Sequence, residues 1–160
     1  MRTLERALSV GSLLSTLALA ASLPAQAADP FTGTWKLNVA KSSYDPGPAP
    51  KSATVTIATS GQGRKVSSKG VDAQGKPTGT AYTANFDGKD YPITGSQDYD
   101  MVSVKRIDAN TVESTRKKGS KVVQNLTSVV AKDGKSYTST TTGTNAKGEK
   151  IHNVAVYDKQ

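Results

Sequence analysis

The chain has 160 residues, of which 35% are apolar, a formal net charge of +8, and no cysteine. Such a length fits one domain. The missing thiols exclude disulfides, thiol catalysis and a lipid-bearing cysteine behind an export signal. A fold of this size then rests on an apolar core and backbone ladders alone.

Residues 1–27 have the makeup of a cleaved secretory signal. Arg2 and Arg6 form a basic start, residues 11–23 an apolar stretch, and Ala25-Gln26-Ala27 a small-x-small cleavage site. The apolar stretch falls short of the roughly 20 residues that cross a bilayer. A secreted or periplasmic protein cut after Ala27, with no membrane span and with one domain over 28–160, is expected. Arg2, Arg6 and Glu5 account for one positive charge, which leaves seven on the domain. Its lysines are spread over many turns (Lys76, Lys89, Lys118, Lys132, Lys147), a solvated basic surface and not a nucleic-acid-binding arm.

The first strand-like segment, 33–39, carries the one tryptophan, Trp35. Residues 40–51 hold Pro46, Pro48 and Pro50 and read as a semi-rigid connection, because closely spaced prolines extend neither a helix nor a central strand. Strand-like runs follow at 53–59, 65–71, 78–86, 90–94, 100–107, 111–117, 121–131, 135–144 and 149–157. Turn chemistry such as Asp87-Gly88 and Asp133-Gly134 separates them. No helical periodicity competes after residue 27. The predicted fold is all-β, an antiparallel up-and-down meander of about eight to ten strands closed as a barrel.

The segment 101–117 fixes two faces. A three-residue connection at 108–110 pairs Ile107 with Thr111, and hence Lys105 with Glu113 and Ser103 with Thr115. The opposite charges face each other across the ladder, a pairing worth some 0.2–1 kcal/mol. Val102, Val104, Arg106, Val112, Ser114 and Arg116 then share the inner face. A guanidinium there needs a buried carboxylate or a ligand's anionic group, unless it reaches past the rim into water. Tyr82 and Phe86 share a face that points inward beside Val55 and Ile57. Residues 122–130 and 151–157 are apolar on both faces and their facing stays open.

Phe31-x-Gly33-Thr34-Trp35-Lys36-Leu37 is similar to the N-terminal signature of fatty-acid-binding proteins, and Gly33-x-Trp35 to the lipocalin motif. The run over 33–42, followed by Pro46-Gly47-Pro48-Ala49-Pro50-Lys51, resembles a group of exported bacterial proteins called lipocalin-like. The resemblance implies a calycin barrel with Trp35 as the plug of its closed end. Two departures bear on function. Fatty-acid-binding proteins fit a helical lid where this chain has prolines, and an arginine two residues before the last strand's tyrosine where this chain has Ala155.

Catalysis has few candidates: His152 is the one histidine, and a histidine-rich zinc site cannot be built. The carboxylate groupings Asp98-Tyr99-Asp100 and Asp87-x-x-Asp90 suit turn capping and lack calcium-loop spacing. A non-enzymatic protein without metal or cofactor is expected, a monomer holding a small apolar or amphipathic molecule, with an anionic amphiphile one of the alternatives. Arg106, Arg116, Tyr82 and Phe86 are its candidate ligand-binding residues. The alternative is a barrel with a packed interior that acts through its surface, as an envelope interaction protein or hydrolase inhibitor. Lumen volume separates the two: a cavity of about 300 Å³ or more favours the carrier.

Overall fold

The computed structural model describes residues 28–160, so the signal-like segment 1–27 lies outside the described residues. Eleven strands follow one another: β1 (Gly33–Leu37), β2 (Ser43–Asp45), β3 (Ser52–Ser60), β4 (Gly63–Val71), β5 (Pro77–Asn85), β6 (Asp87–Thr94), β7 (Met101–Arg106), β8 (Thr111–Lys118), β9 (Lys121–Val130), β10 (Ser136–Thr144) and β11 (Lys150–Lys159). The turns between them use side chains as backbone acceptors. Asp72 Oδ1 accepts from the amides of Gln74 and Lys76, and Asn145 Oδ1 from those of Lys147 and Glu149. The two similar tetrapeptides, Asp72-Ala-Gln-Gly75 and Asn145-Ala-Lys-Gly148, are thus one turn design used twice.

All strand pairs are antiparallel. β1 pairs with β3, each later strand pairs with the next, and β11 returns to β1 through Trp35↔Lys159 and Leu37↔Tyr157. The result is the expected all-β up-and-down barrel, closed by ten strands. The eleventh, β2, continues the line of β1 past a 3-10 turn at Val39–Lys41 and pairs with the first half of β11, from His152↔Asp45 to Val154↔Ser43. The connection expected over 40–51 therefore starts later, at Pro46. Asn38 and Ser42 make this corner possible. Asn38 donates to the Asp158 carboxylate at 2.7 Å, and Ser42 Oγ donates to the Asn38 carbonyl while accepting from the Val156 amide.

Strand alternation sends every second side chain inward. The core gathers Val55, Ile57, Val66, Ala84, Ile93, Val102, Val104, Val112 and Val130, with Phe31, Trp35 and Tyr137 at one end of the barrel. Trp35 is fully buried. Its Nε1–H donates to the Phe31 carbonyl at 2.8 Å, and its ring meets Tyr137 edge-on at 5.0 Å. The segment before β1 thus folds across the barrel end, and the tryptophan fills it.

Candidate functional site

Above this floor the barrel is hollow. A cavity of about 650 Å³ runs from Phe31, Arg64 and Tyr137 to a mouth formed by the turn after β4 (Asp72, Lys76) and the segment after β6 (Gly95 to Asp98). Gly95 shapes that mouth: it has φ +87°, and a Cβ there would lie 2.0 Å from the Gly79 carbonyl oxygen. Only glycine lets the two segments approach so closely. Val55, Val66, Val102 and Leu126 give the lumen apolar wall, while Ser68, Thr80, Ser114, Ser128 and Ser139 give it hydroxyls. Several of these pair off across the ladder, Ser68 with Thr80 at 2.8 Å and Ser128 with Ser139 at 3.3 Å.

Three arginines point inward, and their surroundings differ. Arg106, at the closed end, forms an ion pair with Asp29, donates to the Ala109 carbonyl at 3.2 Å and lies 4.3 Å over the Phe86 ring. Arg116, two residues from Ser114 toward the mouth, donates to Gln124 Oε1 at 3.1 Å and stacks 4.5 Å over Tyr99. Arg64 is 5% exposed and donates from Nη2 to Ser114 Oγ at 3.3 Å. Its buried Nε finds no acceptor among the described residues. The lining carboxylates, Asp72 and Asp98, sit at the mouth. The deep lumen therefore carries positive charge with no counter-charge among the described residues.

Tyr137 and Tyr157 stack face to face across β10 and β11, their centroids 4.6 Å apart. Burial, reinforced by their mutual repulsion as phenolates, pushes the Tyr137 hydroxyl well above the usual tyrosine range. Burial raises Tyr157 as well, with Tyr44 adding to the effect. The folded barrel therefore holds these protons after an unfolded chain has released them at about pH 10. Stability is full below that pH and falls as pH rises toward the folded values, by about 1.4 kcal/mol per pH unit for each tyrosine. Urea unfolding between pH 9 and 11.5 should show this slope, and Tyr137→Phe should flatten it. An unchanged slope in the variant would contradict the assignment.

Of the residues singled out from sequence, Tyr82 and Arg116 line the large cavity. Arg106 and Phe86 lie together elsewhere, at a second depression of about 580 Å³ at the closed end that also takes in Ala28, Asp29 and Pro30. Arg64 was missed. It follows the Gly61-Gln62-Gly63 turn and sits just before the strand read from Lys65. Its parity with Val66 and Ser68 was the available signal, since those three alternate inward along β4. Among the described residues, no three His, Asp or Glu side chains gather as metal ligands, and no helix is long and apolar enough to cross a membrane.

The described residues form an antiparallel closed barrel with a floor, a mouth and a lumen between them. A crystal structure of the zebrafish ileal bile acid-binding protein complexed with cholic acid has this fold. It matches with a TM-score of 0.50 at 14% identity, over 82% of this chain and 99% of that one. No protein-family model matches the chain, and no curated protein sequence does.

Proposed function

We propose that this protein is an exported, non-catalytic carrier that holds a small anionic amphiphile in its lumen. The observation that carries the reading is the cavity of about 650 Å³ lined by both valines and arginines. Its volume falls within the roughly 300–1,000 Å³ of small-molecule sites, where a packed interior would have left none. The solved neighbour, a bile acid-binding protein in complex with cholic acid, is consistent with such use of the fold. The signal-like makeup of residues 1–27 supports export.

The arginines give the test. Arg116 faces the lumen, so Arg116→Ala should weaken binding of an anionic amphiphile such as decanoate by about tenfold, through loss of one nearby positive charge. Arg106 is satisfied by Asp29 outside the lumen, so Arg106→Ala should change the affinity by less than about twofold. Calorimetric titration checks both. Unchanged affinity in Arg116→Ala, with a loss in Arg106→Ala, would overturn the lumen as the site.

A further inference from the structure

Building on the carrier reading, we propose that Arg64 and Ser114 form an oxyanion subsite on the lumen floor, so that the ligand lies with its acidic group down and its apolar body toward the mouth. Arg64 is 5% exposed, yet it belongs to none of the ion pairs among the described residues, which join Lys41 to Asp158, Arg106 to Asp29, Lys117 to Asp90 and Lys118 to Asp100. One long hydrogen bond, Nη2 to Ser114 Oγ at 3.3 Å, serves a group with five N–H donors, and the buried Nε–H has no acceptor among the described residues. Burial of a charge in this condition is costly unless something anionic completes it. The inward arginine nearer the closed end shows the completed case, since Arg106 has Asp29.

The chemistry that fits is a planar or tetrahedral oxyanion, a carboxylate, sulfonate or sulfate, which takes two parallel N–H bonds from the guanidinium fork. Phe31 and Tyr82 lie at 5.9 and 5.8 Å from the guanidinium carbon, which holds the fork in place between two rings. The direction of the ligand follows from the strand. Arg64 is the second residue of β4, next to the closed end, whereas Val66, Val55 and Val102 line the lumen on its mouth side. An acid bound at Arg64 therefore places its hydrocarbon against those valines.

The full domain should be titrated with decanoate, with decanol and with sodium sulfate, as wild type, Arg64→Met and Arg64→Lys. The subsite predicts that Arg64→Met binds decanoate about 30-fold or more weakly while its decanol affinity changes less than about twofold. It also predicts that the ligand-free Arg64→Met barrel melts no lower than wild type, because an uncompensated buried charge is gone. Arg64→Lys keeps the charge without the fork and should bind decanoate at least about fivefold more weakly, which keeps the test open if the methionine variant fails to fold. Equal decanoate affinity in wild type and either variant overturns the subsite and leaves the lumen reading standing. If neither amphiphile binds wild type, both fall together. Sulfate that raises the wild-type melting temperature but not that of Arg64→Met, with no decanoate binding, would make this an inorganic-anion site and overturn the head-down orientation.

Discussion

Trp35→Ala should lower the unfolding free energy by about 3–5 kcal/mol, the usual cost of deleting a buried large aromatic ring. For a domain of this size the melting temperature should fall by on the order of 10–20 °C. The ring is fully buried, donates to the Phe31 carbonyl at 2.8 Å and packs edge-on against Tyr137. Alanine would leave a void at the floor and a carbonyl without its donor. Lys159, whose Nζ lies 5.0 Å from the indole, would lose its ring at the same time. Trp35 does not line the lumen, so amphiphile affinity measured well below the melting temperature should stay close to wild type. A stability loss under about 1 kcal/mol would contradict its role as plug.

Phe31→Ala is expected to cost about as much, again some 3–5 kcal/mol, with a second effect that Trp35→Ala lacks. Phe31 is fully buried, lines the cavity, and lies 5.9 Å from the guanidinium carbons of both Arg64 and Arg106. Its ring separates the arginine that faces the lumen from the one that faces Asp29. Removal should therefore both destabilise the barrel and lower decanoate affinity. The two floor rings both pack against Tyr137, at centroid distances of 6.2 Å for Phe31 and 5.0 Å for Trp35, so their effects should not add. The double variant is expected to lose less than the sum of the singles by about 0.5–3 kcal/mol. Strict additivity in urea unfolding would show that the floor is not one packed unit.

The hairpin of β7 and β8 was fully legible in the sequence. Lys105 stands opposite Glu113 and Ser103 opposite Thr115, as the charge pairing required, and the valines of that face are buried. The barrel closure followed from the same alternation carried through successive turns. β2 was not legible, because three residues directly ahead of a proline-rich stretch give no periodicity to read; tertiary pairing with β11 decides it. The facing of β9 was illegible for another reason. Valines occupy both faces: regular pairing with Val112 and Arg116 turns Ser128 and Gln124 inward and leaves Val129 exposed, and the register shift between Arg116 and Lys117 then turns Val122 outward. A polar lumen removes the hydrophobic contrast on which facing is read.

The candidate site divides in the same way. Arg116 and Tyr82 reach the lumen because their parity placed them there. The partner of Arg106 could not be named from sequence, since Asp29 lies 77 residues away and ahead of the first strand. Arg64 was hidden by its place at a turn, where a charged residue reads as solvated; closure of the barrel buries that position against Phe31 and Tyr82.

The most direct test of the account is an NMR titration of the isotope-labelled domain with decanoate. Chemical-shift changes are expected at inward positions, above all Arg64, Val66, Ser114, Ser128 and Tyr137, saturating at one ligand per chain. Changes confined to outward lysines and threonines such as Thr56, Lys65 and Lys69, or none at all, would contradict a ligand in the lumen.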